Sequence, residues 1–248
     1  MPEGPSIVIL KEQVQALHVT GRKLQTVTGN SKIDQSRLLQ EKVTAFDSWG
    51  KHFLVCFETF VLRVHFLLFG SYTINAPKEN APIRLALVFS KTKALYLYAC
   101  SIKILEGQPD DHYDRNVDVM SPQWDEKAAL QKLRQHPTML ACDAILSQDI
   151  FAGAGNIFKN EVLYRTKIHP LSQIGAIPLS RLKLMVKDVH TYAFLFLEWK
   201  KQYVLRQHWE VHSKKECPRH HIPLSRGHLG QTNRRSFFCE KCQKKYLL

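Results

Sequence analysis

Two pairs of soft ligands near the C-terminus constrain this chain more than any other feature. Cys217 and His220 have two residues between them, eighteen follow, and Cys239 and Cys242 again have two between them. Pairs at that spacing let two tight turns present four donors to one tetrahedral Zn²⁺ at about 2.0–2.3 Å. Four protein ligands close the coordination sphere, so the expected metal is structural: it holds a β-hairpin together and leaves catalysis to other residues. His221 and His228 are alternative nitrogen donors, and free thiols beside a surface histidine are the reading without metal. Three of the six cysteines converge here. Cys56, Cys100 and Cys142 lie in apolar runs and are expected to pack as small core residues, which leaves no disulfide framework.

Charge points to the same segment. The 248 residues carry 35 Lys+Arg against 22 Asp+Glu, a formal charge of +13, and residues 200–248 alone hold 12 basic and 3 acidic side chains. A solvated basic face is the bland explanation. Coincidence of the excess with a metal-stapled module favours a nucleic-acid partner. Between the ligand pairs lies QTNRRSFF, which places Arg234 and Arg235 at the expected hairpin tip, where two guanidinium groups suit phosphate. A 44% hydrophobic composition describes a globular chain long enough for one large domain or two to three smaller ones. The longest apolar stretches fall far short of the ~18 residues of a membrane span. The start MPEGPSIVIL lacks the basic and apolar regions of a secretory signal, so an intracellular location is expected, cytoplasmic or nucleoid in a bacterium.

Along the chain, Ile7, Leu10, Val14 and Leu17 recur at helical spacing, and residues 5–18 read as an amphipathic helix stopped by Gly21. Eight short strands follow: Lys23–Thr28, Lys42–Trp49, His52–Phe57, Val61–Phe66, Ser71–Asn75, Leu85–Ser90, Ala94–Ala99 and Ile102–Leu105. Strands this short and frequent suggest a β-sandwich or barrel. The acidic stretch Gln108–Asp118 reads as the domain exit. Ser121-Pro122 is expected to open a helix running to about Gln135, Thr138 to cap a helix over Met139–Leu146, and Ile157–Arg165 to resume after a glycine-containing turn. Ser180 begins the longest helix, whose stripe of Leu182, Met185, Val186, Val189, Ala193, Phe196 and Leu197 is core. The expected fold class is α+β multidomain: a β-sandwich with a leading helix over 1–120, a helical domain over 121–212 and a zinc-finger β-hairpin over 213–248.

The second residue carries a chemical possibility. A small residue after Met1 usually permits its removal, which would expose the secondary amine of Pro2. An α-amino group, with a reference pKa of about 7.7–8.0, is deprotonated near neutrality far more often than lysine at about 10.4. Such an amine can attack a sugar C1′ and form an iminium that drives elimination of the strand phosphates. Glu3 and Glu161 are carboxylates suited to proton transfer. A lone Pro2 is otherwise only a common start sequence.

Taken together and in order, MPEGP, GKHF, VHFLLFG, AGAGNIFKNE and CPRHH…RRSFFCEKCQ resemble the formamidopyrimidine-DNA glycosylase/endonuclease VIII family. The resemblance implies a β-sandwich, a helix–two-turn–helix domain, a terminal zinc finger and damaged DNA, duplex or single-stranded, as the partner of a monomer. It implies that Pro2 is the Schiff-base nucleophile, that Glu3 is the acid/base, and that Lys51 contacts a phosphate beside the lesion. Asn156 and Arg235, with Arg234 beside it, would grip the backbone around an extruded nucleotide. Glu161 matches an acidic position of the family and is left between site and helix packing. Extrusion leaves a void, and Leu67, Leu68 and Phe69, after His65 on an expected strand-end loop, are apolar enough to fill it. Contiguous void-filling residues, and the short stretch between the long helix and Cys217, favour oxidised pyrimidines. An oxidised-purine glycosylase, or a zinc-dependent DNA-binding protein without the reaction, are the alternatives. Ser147-Gln148 stands where the family often has Asp-Gln, and His220 replaces a cysteine of the four-cysteine finger.

Overall fold

The structure, a computed structural model, describes residues 2–248; the expected removal of Met1 falls outside that range. Two compact units divide the chain, one ending at Asp114 and the other spanning Arg115–Leu248.

The first unit opens with α1 (Gly4–Gln15), entered through Glu3 in an extended conformation and started by Pro5 in its first turn, where a missing N–H and a preset φ are harmless. Ile7, Leu10 and Val14 are buried in the core. The helix ends earlier than its periodicity suggests. Leu17 and His18 bond back to Val14 and Gln15, and His18 adopts a left-handed φ of 52°, which turns the chain before Val19.

Beyond it come β1 (Thr26–Thr28), α2 (Arg37–Gln40), β2 (Ala45–Trp49), β3 (His52–Cys56), β4 (Phe60–Ile74), β5 (Leu85–Ser90) and β6 (Lys93–Glu106). The strands form one antiparallel sheet in the order β1-β5-β6-β4-β3-β2. Two predicted strand pairs are continuous instead: Val61–Phe66 and Ser71–Asn75 merge into β4, and Ala94–Ala99 and Ile102–Leu105 into β6. The layered form survives because this sheet curls. Phe46 on edge strand β2 and Phe89 near the opposite edge meet at 6.2 Å, across a core shared with α1.

The second unit contains α3 (Glu126–Arg134), α4 (Ala141–Leu146), α5 (Asn156–Arg165), α6 (Leu179–Lys201), β7 (Ser225–Leu229) and β8 (Arg234–Phe238), the last two paired as a hairpin. Ser121-Pro122 does not start α3. Ser121 caps only a local turn through Gln123 N–H, and Asp125 wins the helix start because its carboxylate accepts from both Lys127 and Ala128 N–H. Thr138 likewise caps nothing; α4 begins after Leu140, whose extended backbone starts it with no side-chain cap. The apolar stripe of α6 is buried in one core with Phe151, Phe158 and Val162 from Leu182 to Phe196, while Leu197, expected in the same stripe, is only half-buried. Among the described residues no helix is long and apolar enough to cross a membrane.

Candidate functional site

Pro2 and Glu3 lead directly into α1. Pro2 is half-buried and Glu3 is only 4% exposed. The Glu3 carbonyl accepts Ser6 N–H at 2.8 Å, while its carboxylate makes no capping hydrogen bond to the helix. The positive end of the helix dipole therefore lies beside the Glu3 side chain and the Pro2 nitrogen. Lys11, 3.8 Å from Asp47, and Gln15, donating to Phe46 O at 3.2 Å, fix α1 along β2.

Lys51 occupies the two-residue turn between β2 and β3, made possible by Gly50 at φ 52°. Its charge is felt by both neighbouring imidazoles. Burial first, then its neighbours Arg63, His65 and Lys51, hold His52 down to about 3. Burial, then Arg63 and Lys51, also lowers His65, whose ring meets that of His52 at 5.2 Å. Both rings are thus neutral at pH 7 and can donate or accept a hydrogen bond beside two fixed cations.

Leu67, Leu68 and Phe69 are 50%, 59% and 83% exposed. They do not lie on a strand-end loop. They are extruded from within β4: between the pairs Phe66↔Cys100 and Ser71↔Tyr98, five residue steps on β4 oppose two on β6. The surplus residues must leave the ladder, while pairing on both sides holds the base of the bulge. Gly70 permits this, since a Cβ there would lie 2.8 Å from Phe66 Cβ and 2.9 Å from Ala99 O. Ala99, opposite the bulge, takes a left-handed φ of 47°. Exposure on this scale removes the reading of these residues as strand core.

In the second unit α5 meets β8 through polar groups. Asn156 Nδ2 and Lys159 Nζ each donate to Arg235 O at 3.0 Å, and Lys159 also reaches Ser236 Oγ at 2.7 Å. Asn160 Oδ1 accepts Phe237 N–H at 3.1 Å. Arg235 keeps its side chain exposed, with Arg234 half-buried before it. Both follow the hairpin turn at the start of β8. Asp143 on α4 holds that turn, accepting from Gln231 N–H, Thr232 N–H and the Thr232 hydroxyl at 2.9, 3.0 and 2.8 Å. The turn before α5 is stapled by Gln148, whose amide donates to Leu146 O and Ala154 O and accepts Gly153 N–H.

Glu161 is turned into the interior. It is fully buried, and its carboxylate accepts N–H groups of Glu210, Val211 and His212 at 2.9, 3.1 and 2.7 Å. Burial raises its pKa against those three donors. Sequence reasoning missed Asp143, Lys159 and Asn160. The helical spacing of Asn156, Lys159 and Asn160 was the available signal for a shared face; Asp143 has none, because its partners lie almost ninety residues away.

The ligand quartet assembles as expected. One donor atom from each of Cys217, His220, Cys239 and Cys242 lies within 4.8 Å of the others. Cys217 Sγ is 3.5 Å from Cys242 Sγ, and His220 Nδ1 is 3.0 Å from Cys242 Sγ and 3.8 Å from Cys239 Sγ. A tetrahedron with metal–sulfur bonds of ~2.3 Å has edges of about 3.8 Å, so these three thiols and one imidazole fit a zinc-sized ion. His221 instead faces Glu216 at 3.0 Å and His228 faces Asn233 O at 3.0 Å, which leaves His220 as the nitrogen donor.

Residues 1–99 match the formamidopyrimidine-DNA glycosylase N-terminal domain. The chain is 30% identical to endonuclease 8-like 3 of Xenopus laevis over 241 residues, 93% of this chain and 39% of that protein. It is 34% identical to endonuclease 8-like 2 of Bos taurus over 198 residues, 74% of this chain and 58% of that one. The chain thus spans about two fifths to three fifths of the length of these relatives. Its fold superposes on the Lactococcus lactis formamidopyrimidine-DNA glycosylase bound non-covalently to DNA containing an AP site, with a TM-score of 0.83 at 19% identity over 98% of this chain and 100% of that one. A viral DNA glycosylase superposes with a TM-score of 0.82, also at 19% identity and with the same coverage of both chains.

Proposed function

We propose, for a chain that belongs to the formamidopyrimidine-DNA glycosylase/endonuclease VIII family, that it excises damaged bases from DNA and then cuts the strand at the same site. The observation that carries this reading is the half-buried Pro2 beside a nearly inaccessible Glu3 carboxylate at the start of α1. The Pro2 nitrogen bonds to C1′ as the bond from C1′ to the base breaks and the base leaves with the electron pair; the proton lost by the Pro2 nitrogen passes to the Glu3 carboxylate, which delivers it to the sugar ring oxygen as the ring opens. The resulting iminium acidifies C2′, so β-elimination expels the 3′ phosphate and δ-elimination the 5′ phosphate.

The remaining residues hold the substrate. Leu67, Leu68 and Phe69 enter the stack where the nucleotide leaves, offsetting an unstacking cost of a few kcal/mol. Lys51, His65, Asn156, Arg234 and Arg235 contact phosphates or sugars around it. On this reading residues 1–120 carry the reaction, and residues 121–212 and 213–248 grip the DNA. Cys217, His220, Cys239 and Cys242 hold a structural zinc, which fixes the hairpin that presents the arginines and takes no part in bond breaking. A single bulge supplies contiguous void-filling residues, which supports oxidised pyrimidines as the preferred lesions.

Borohydride added during the reaction with lesion DNA tests the chemistry. The expected result is a covalent adduct on the Pro2 peptide. Absence of an adduct on several oxidised bases and abasic sites, or cleavage by a preparation that still carries Met1, overturns the reading in favour of a binding protein on the same scaffold. DNA affinity should fall with salt at a log–log slope near −4, for about four to five neutralised phosphates.

A further inference from the structure

Tyr164, near the end of α5, has no part in the chemistry above, yet its hydroxyl lies 3.2 Å from Cys217 Sγ and its side chain is fully buried. We propose that Tyr164 is a metal-site residue: its hydroxyl donates a hydrogen bond to the Cys217 thiolate of the loaded cluster and strengthens the hold on the ion. The inference rests on the metal reading of the four ligands and is independent of the glycosylase reaction.

The direction of the bond follows from the ligand chemistry. A metal-bound thiolate carries no proton and can only accept, and a phenol remains protonated at neutral pH. Three thiolates and a neutral imidazole around a divalent ion leave a net charge of −1 in a buried site, where a donor aimed at sulfur stabilises the excess charge. Arg219 supports that donor. It sits between ligands Cys217 and His220, with its guanidinium 4.1 Å above the Tyr164 ring and Nη1 donating to Tyr164 O at 3.1 Å. A cation over the ring withdraws electron density and makes the hydroxyl a stronger donor. Glu210, 3.5 Å from Arg219, adds an ion pair to the guanidinium.

Loaded full-length protein tests this with readouts other than activity. Tyr164→Phe keeps the ring and loses only the donor, so zinc should pass to a competing chelator at about tenfold lower chelator concentration. In the cobalt-substituted protein the sulfur-to-metal charge-transfer band should move to longer wavelength, while the ligand-field bands stay tetrahedral. Tyr192→Phe, which removes another buried tyrosine hydroxyl from the same unit, should change neither. Should Tyr164→Phe fail to fold, the ¹¹³Cd-loaded wild type should show scalar coupling between the metal and the Tyr164 hydroxyl proton. Zinc affinity within twofold of wild type with an unmoved band, or no such coupling, overturns the proposal. A wild-type chain that binds neither zinc nor cobalt removes its premise, and borohydride trapping at Pro2 would still report separately on the glycosylase reading.

Discussion

Asp143→Ala isolates the contact that aims the paired arginines. The wild-type carboxylate accepts two N–H groups and one hydroxyl from Gln231 and Thr232. Hydrogen bonds to an ionised group contribute about 1.5–3 kcal/mol each, so three amount to about 5–9 kcal/mol before any compensation. Two effects reduce that figure. Gln231 and Thr232 are exposed, so their freed groups regain water, and a buried carboxylate no longer gives up its own hydration. The net loss should be about 2–3 kcal/mol, which for a unit of this size lowers Tm by about 6–15 °C. Differential scanning calorimetry of the metal-loaded chain reads it directly. Asp143→Asn retains an acceptor oxygen and should fall between the two. Gly230, at φ +74°, lies so close that a Cβ there would meet the Asp143 carboxylate, so the turn packs directly against this side chain. Releasing it should also free Arg234 and Arg235, weakening lesion-DNA binding and reducing the salt slope by about one. A Tm within ~2 °C of wild type, or an Asn variant less stable than Ala, refutes the reasoning.

Three further outcomes follow from the same geometry. Phe69→Ala should leave Tm within ~1 °C, because the ring is 83% exposed, while excision from duplex DNA falls about tenfold; a large loss of stability would restore a core role. His52 is held at about 3 in the fold and titrates near 6.5 when unfolded, so below pH 6.5 the unfolded chain takes up a proton that the folded chain does not. Its contribution is complete above pH 6.5 and is lost as pH falls toward 3, by about 1 kcal/mol per pH unit, and His52→Phe should flatten urea-unfolding free energies measured across that window. Chelation of the metal should abolish DNA binding and release the amides of residues 225–238 to rapid hydrogen exchange, with both restored by added zinc.

The parts of this protein that were legible in its sequence are those whose physics is local. Cys217, His220, Cys239 and Cys242 announce a shared ligand cluster because two ligands in one tight turn need two residues between them. The buried stripe of α6 follows from its period. Helix starts were harder, since Ser121-Pro122 and Thr138 carry the right residue types, and what decides a start is which side chain reaches the free N–H groups; Asp125 does. The β4 bulge was hidden for a related reason. Leu67, Leu68 and Phe69 look alike as core, loop or extrusion, and only the register of β4 against β6, set by residues thirty positions away, forces them out.

Lys159, Asn160 and Glu161 show what polarity alone does not decide. Three consecutive polar residues on a helix ordinarily mark a solvated face, yet all three are buried here. Each is matched in sign to backbone that regular structure leaves over. The Lys159 ammonium meets carbonyls of Arg234 and Arg235, the Glu161 carboxylate meets three N–H groups of residues 210–212, and the Asn160 amide serves one of each kind at Asn156 and Phe237. A two-stranded hairpin is marginal by itself and leaves edge groups unpaired. Here α5 supplies the missing partners along one side of β8, and the quartet of Cys217, His220, Cys239 and Cys242 supplies the closure beyond its end. The low amphipathicity of α5 is therefore a consequence of its position: one side of the helix completes an apolar core, and the other satisfies the backbone that carries Arg234 and Arg235.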